Sequence, residues 1–227
     1  PTFGLGTGPS NNIPPVLEYP ATPDGNVVYE GGKFYMKYNW IKFHNILMRA
    51  VADHIYAGVG YHIDHYYDIS DENLNLDSAK KVITPHYSYC INHGFNTLKY
   101  TASGVSLNFA YDTRDNIISA YKGIYINATY LYNFTFLASN RNGSRLWIEY
   151  RQYVGLSKRV ARHLMAFRAF GSFTTSGDMP YLNLMATGYD PNNSSGRGYT
   201  EGRWRGENFV YGEVEYRFPI SPCSRIV

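Results

Sequence analysis

Five long runs of this sequence alternate apolar with polar or small residues at a period of two. Successive side chains of an extended strand point to opposite faces, so each run makes a strand with one apolar and one polar side. In Ile55–Tyr67, the residues Ile55, Ala57, Val59, Tyr61 and Ile63 alternate with Tyr56, Gly58, Gly60, His62 and Asp64. In Thr101–Asp112, Val105, Leu107, Phe109 and Tyr111 oppose Ser106, Asn108, Ala110 and Asp112. In Gly123–Phe136, Ile124, Ile126, Ala128, Tyr130, Tyr132 and Phe134 oppose Tyr125, Asn127, Thr129, Leu131 and Asn133. Arg145–Gly155 and Glu207–Ile220 carry charges on the second face, among them Glu149, Arg151, Glu213, Glu215 and Arg217. Phe34–Arg49 and Arg162–Phe173 read as two further strands with apolar residues on both faces, and a bulge near Trp40 and Ile41 would explain the phase change in the first. Such lengths go well beyond the roughly five or six residues of an ordinary strand.

Composition agrees with an all-β chain. Tyrosine contributes 23 residues, phenylalanine 12 and tryptophan 3, whereas charged residues are only 17% of the total, so disorder is excluded. The formal charge of +3 is too small to argue for a nucleic-acid partner. No stretch approaches the roughly 18 apolar residues of a membrane-spanning helix. A transmembrane β-barrel escapes that test, because alternating strands leave no hydropathy peak.

The connections decide between barrel types. They are short at Val51–His54, Thr113–Lys122 and Ser157–Ala161, and longer at Asp68–Tyr100, Ala138–Ser144 and Thr174–Gly206. In an up-and-down meander the two sets fall on opposite ends, as in outer-membrane barrels with short periplasmic turns and long extracellular loops. A soluble sandwich would give neither such long strands nor so regular an alternation, and a lipocalin-like or other soluble barrel is the alternative. Seven strands, with Pro1–Gly8 as the end of an eighth, do not make the even closed barrel that lipid demands, so the chain reads as one domain that is part of a larger barrel. The apolar faces then meet lipid, and the faces with Asp112, Asn127, Arg151, Glu213 and Arg217 line the lumen.

Chemistry-bearing motifs are sparse. Cys90 and Cys223 have no C-x-x-C spacing, and they fall at opposite ends of the meander, so a disulfide between them is not expected. His62 and His65 in YHIDH lie on opposite faces of a strand and read as wall residues rather than metal ligands. Sequons at Asn127, Asn133, Asn142, Asn192 and Asn193 are weak signals in an Asn-rich chain. There is no G-x-S-x-G, H-E-x-x-H or P-loop, so no catalytic residue, metal or cofactor is expected.

Three segments go beyond a generic barrel. Asp112-Thr113-Arg114-Asp115-Asn116 with Tyr121-Lys122-Gly123 lies at a short turn. Gly196-Arg197-Gly198-Tyr199 with Gly202-Arg203-Trp204-Arg205-Gly206 lies in the last long connection. Glu213-Val214-Glu215-Tyr216-Arg217-Phe218-Pro219 follows on the next strand. In this order and spacing they resemble the BamA/TamA family of outer-membrane proteins, also called bacterial surface antigens, and its Bacteroidetes-type members in particular. The resemblance implies a 16-stranded barrel of which this chain supplies about strands 5 or 6 to 12. It implies that the tip Arg197, Gly198, Tyr199 folds back into the lumen, and that the barrel inserts or translocates proteins at the bacterial outer membrane without chemistry of its own. The partners it implies are outer-membrane lipid and lipopolysaccharide, client outer-membrane proteins and accessory subunits. The end at Pro222-Cys223-Ser224-Arg225-Ile226-Val227 departs from the family, which continues with a glycine-rich turn and further strands. A passive channel, a surface-binding barrel or the membrane anchor of an enzyme domain outside this chain is the alternative reading.

Two site expectations follow. Arg197, lifted partly out of water, calls for carboxylate partners, for which Glu213 and Glu215 beside Arg217 are the candidates, and a bidentate contact would favour Arg over Lys. In the short turn, Arg114 between Asp112 and Asp115 pairs locally, and Gly123 supplies a positive φ at the entry to the next strand.

Overall fold

The computed structural model describes residues 2–8, 34–77, 82–157, 162–191, 195–199, 201–202 and 204–219. Its strands are β1 (Thr2–Gly8), β2 (Met36–Ala52), β3 (Ile55–Asp71), β4 (Tyr100–Asp112), β5 (Gly123–Asn133), β6 (Gly143–Gly155), β7 (Leu164–Gly177), β8 (Met185–Ala186), β9 (Arg205–Gly206) and β10 (Asn208–Arg217). Eight of them form one sheet in the order β1-β2-β3-β4-β5-β6-β7-β10, and every neighbouring pair is antiparallel. Chain order is therefore spatial order, an up-and-down meander. β1 and β10 are the edges of this open sheet.

The alternation seen in the sequence becomes two faces. On the outer face Val59, Leu107, Val210 and Val214 are exposed, with Leu107 at 64% and Val210 at 72%. On the inner face His62, Asp64, Ser106, Asn108 and Glu149 are buried. Apolar residues outside and polar ones inside is the reverse of a soluble protein, and it is what lipid selects: an arginine at the bilayer midplane would cost roughly 2–4 kcal/mol on the outer face. The inner groups satisfy one another. His62 Nε2 lies 2.8 Å from Ser106 Oγ, Asn108 Nδ2 donates to Ser106 Oγ at 2.8 Å, and Thr129 Oγ1 donates to Asn108 Oδ1 at 2.9 Å. His65 points to the other face, where Nδ1 lies 2.7 Å from Thr101 Oγ1.

Two expectations need correction. No register shift occurs at Trp40 and Ile41; the irregularities lie between Lys37 and Asn39 and between Ala50 and Ala52. Lys37 pairs with Ser70 and Asn39 with Tyr67, so the upper extra residue sits on β3, where Asp68 takes φ 54°. Trp40 is apolar on the inner face because it stacks on Tyr66, with centroids 5.5 Å apart and planes at 10°. β5 stops at Asn133 rather than Phe136, since a short 3-10 turn follows at Thr135–Leu137 and Ala138 takes φ 71°.

The fold is all-β in class, and one connection adds a helix. The connection after β3 contains helix α1 (Pro85–His93). Thr84 caps it by accepting from the Tyr87 amide, Pro85 opens the first turn, and Gly94 closes it with φ 63°. α1 packs with Tyr181 and Leu184 of the last long connection onto the upper inner wall, and the cluster Met36, Tyr66, Ile69, Cys90, Phe95, Tyr100 and Met179 completes an apolar core. That core lies at the end with the long connections; farther down, the inner face is polar.

Candidate functional site

The connection between β7 and β10 does not project from the sheet. It lies on the inner wall, where three sets of contacts hold it.

The first set is on β3. Asp64 is buried and accepts from Trp40 Nε1 at 3.1 Å and from Asn183 Nδ2 at 3.0 Å, with His44 Nε2 2.9 Å away. Asn183 also accepts through its carbonyl from Arg145 Nη1 of β6 at 2.8 Å. Arg205, at the far end of the same connection, donates to the carbonyls of Tyr181 at 2.9 Å and Leu184 at 3.1 Å, with its guanidinium between the rings of Tyr181 and Tyr189. The two-residue ladder of β8 and β9 closes this part into a small hairpin.

The second set is a charged chain. Glu149 Oε1 accepts from Arg151 Nε at 2.7 Å and from Arg168 Nε at 3.0 Å. Arg168 Nη2 donates to Asp190 Oδ2 at 2.8 Å, and Asp190 Oδ1 accepts from the Ser195 amide at 2.8 Å. The Asp190 side chain is 0% exposed. Burial works against its ionisation, but the donors from Arg168 and Ser195 outweigh it and hold the carboxyl well below the usual carboxylate range.

The third set is the one the sequence motifs point to. Gly196, Gly198 and Gly202 take φ of 71°, 86° and 73°, a region that side chains with a Cβ rarely adopt. At Gly196 a Cβ would also meet Thr187 Cγ2 at 2.1 Å. These reversals present Arg197, whose Nη2 lies 2.8 Å from Glu215 Oε1 and 3.1 Å from Glu213 Oε1. Glu213, Glu215 and Arg217 share the inner face of β10 because they are two residues apart. Glu215 Oε2 takes Arg217 Nε at 2.8 Å and Nη2 at 2.5 Å. Tyr199 packs edge-on against Trp204, with centroids 4.7 Å apart.

Two parts of the Arg197 expectation change. One nitrogen bridges two carboxylates, so the contact is not the bidentate fork that demands arginine. The side chain is 65% exposed in the open sheet, so it is not desolvated.

The short turn is a separate structure at the opposite end. Arg114 donates to Asp112 through Nε at 2.9 Å and Nη2 at 2.7 Å, and lies over the Tyr125 ring at 4.4 Å. Asp115 Oδ1 accepts from the amides of Tyr121 and Lys122, and Gly123 takes φ 106°.

One cluster has the look of nucleophilic chemistry. His86 Nε2 lies 3.3 Å from Cys90 Sγ, and its Nδ1 lies 3.0 Å from Asp71 Oδ2. Cys90 is 0% exposed, and burial together with the charge of Asp71 pushes its thiol up to about 12, the reverse of an activated cysteine. The cluster ties α1 to the top of β3. Cys223, the other cysteine, lies outside the described residues, as do Asn192 and Asn193.

The sequence reading missed Asp64, Asn183, Arg145, Arg168, Asp190 and Arg205. A signal existed for Arg168: it is a lone cation within an otherwise apolar strand, in phase with the inner face, and such a charge needs a partner. Asp190 in Tyr-Asp-Pro reads as an ordinary turn residue, and nothing local reveals its role.

Fold and site together define a stretch of antiparallel, outward-apolar sheet whose lumen face is occupied by its own last connection. The model of the Omp85 superfamily domain matches residues 44–226, and the chain belongs to that superfamily of outer-membrane β-barrels. Among solved structures it is similar to BamA from Haemophilus ducreyi lacking POTRA domains 1–3, at 14% identity and a TM-score of 0.47, over 70% of this chain and 30% of that one. The chain thus spans less than a third of that protein's length. No curated protein matches it.

Proposed function

We propose that this chain is the middle of a plugged barrel that inserts or translocates proteins at the bacterial outer membrane. Its eight strands correspond to the fifth to twelfth of sixteen. The observation that supports this most is the long connection held on the inner wall at Asp64, Arg168 and Glu215. A connection clamped on several strands fills the lumen, which suits a barrel that works through its wall better than an open pore. The physical idea is that a weakly paired seam elsewhere in the full barrel offers unsatisfied backbone groups to a client strand. No chemistry is assigned to this segment. Its partners would be outer-membrane lipid and lipopolysaccharide, with client barrels and accessory subunits.

The test uses the full-length protein in liposomes. It should speed the folding of an unfolded client barrel, read as the appearance of its heat-modifiable band, relative to empty liposomes. An unchanged folding rate, combined with steady ion conductance in planar bilayers, would replace this reading with that of a passive channel.

A further inference from the structure

Among the described residues the most exposed large apolar side chain is not on the outer apolar band, and its neighbour is as exposed as Leu47 of that band. Ile117 is 78% and Ile118 97% exposed, and both sit in the turn between β4 and β5. Mobile loops expose apolar residues at little consequence, but this turn is built. Asp115 N donates to the Lys122 carbonyl at 3.2 Å, continuing the ladder beyond the strand ends. Asn116 Oδ1 accepts from the amides of Ile118 at 2.8 Å and Ser119 at 2.9 Å, and Arg114 Nη1 donates to the Ile117 carbonyl at 3.3 Å. Two isoleucines are therefore held out on a hydrogen-bonded turn, in which Ala120 is buried.

Their position says what covers them. The apolar outer band reaches the strand ends, where Tyr111 and Ile126 are paired across β4 and β5. From Asp115 to Ile118 is three residues, at most about 10 Å of chain, so the tip stays close to the end of the band. The polar interface of a bilayer adds roughly 5–7 Å to each side of the hydrocarbon. The tip thus falls in or at the margin of the headgroup layer, where a side chain with an apolar body gains contact without crossing the membrane. The turn itself is neutral, with Arg114 matched by Asp112 and Lys122 by Asp115, whereas the sequence of the adjacent short connection holds the cations Lys158, Arg159 and Arg162. Cations in that neighbouring connection suit anionic phospholipid.

We propose that Ile117 and Ile118 form an interfacial anchor that seats the short-turn end of the barrel on the phospholipid leaflet it faces. This rests on the barrel reading above. It would hold β4 and β5 at fixed depth while other strands move.

The experiment places an environment-sensitive fluorophore at Ser119→Cys in full-length protein with Cys223 replaced by Ser; Cys90 is buried and stays unlabelled. The protein is reconstituted in vesicles of phosphatidylethanolamine and phosphatidylglycerol. A second sample carries the label at Leu107→Cys on the lipid face. The label at 119 should emit at shorter wavelength than in detergent-free buffer, and a nitroxide on the lipid headgroup should remove most of its intensity. Ile117→Asp with Ile118→Asp should abolish both effects. Buffer-like emission at 119, with the label at 107 quenched by a nitroxide on the acyl chain, overturns the anchor and leaves the barrel standing. A shielded label at 119 that no lipid nitroxide quenches also overturns it, in favour of a protein contact. An unquenched label at 107 overturns the barrel reading itself.

Discussion

The last long connection is held by two ion-pair clusters that look alike and differ in weight. At Arg197 the cation is 65% exposed and its partners Glu213 and Glu215 keep contact with solvent, so each pair is worth about 0–1 kcal/mol. At Asp190 the carboxylate is fully buried and accepts from Arg168, itself 12% exposed, and from the Ser195 amide, so its removal takes away two charge-assisted bonds of about 1.5–3 kcal/mol each while Arg168 keeps Glu149. The motif that is conspicuous in the sequence therefore holds the loop weakly, whereas an inconspicuous turn aspartate holds it strongly. The contact at the tip is thus weaker than the one at the root.

Substitutions can break or sharpen this contrast. Asp190→Ala in the full-length barrel should have the largest effect, the loss of two charge-assisted bonds at about 1.5–3 kcal/mol each, seen as rapid hydrogen exchange of the β8–β9 hairpin. If Asp190→Ala leaves exchange unchanged, the root of the loop is held elsewhere. Asn183→Ala should come next. It removes a charge-assisted bond to Asp64, worth about 1.5–3 kcal/mol, while Trp40 and His44 remain on that carboxylate. A parallel rise in exchange of residues 181–186 would show it.

Arg197→Ala should cost no more than about 1 kcal/mol and leave the hairpin protected. Arg197→Lys should be nearly silent, because a single nitrogen makes both contacts. An effect of Arg197→Ala as large as that of Asp190→Ala would mean that the closed barrel buries the tip. The smallest effect is with pH. The folded carboxyl of Asp190 lies below its unfolded value of about 3.9, so its contribution is complete above that value and fades only as pH falls through the lower, folded one. Hydrogen exchange of the hairpin, corrected for intrinsic rates, should thus be flat between pH 7 and about pH 5; a marked loosening in that window would show that Asp190 is not held as described.

Much of the wall could be read from the residues. The period-two runs locate five of the seven long strands, and their parity separates exposed Val59, Leu107 and Val214 from Asn108 and Glu215. The edge strand Thr2–Gly8 was legible only as an unmatched remainder and became a strand through its pairing with β2. Helix α1 has its signals in Thr84-Pro85 and His93-Gly94, inside a connection that a period of two does not resolve. The glycine-flanked Arg197 and the inner face of β10 could be paired in advance because they are close in sequence and opposite in charge.

By itself, then, the sequence determined the long strands, their order and which face is apolar, because each depends on local periodicity. The tertiary structure alone decided which charges anchor the last connection. Asn183 meets Asp64 across 119 residues and Arg168 meets Asp190 across a folded connection, and the strength of such contacts comes from burial. Burial belongs to the assembled wall and loop, and no single segment carries it.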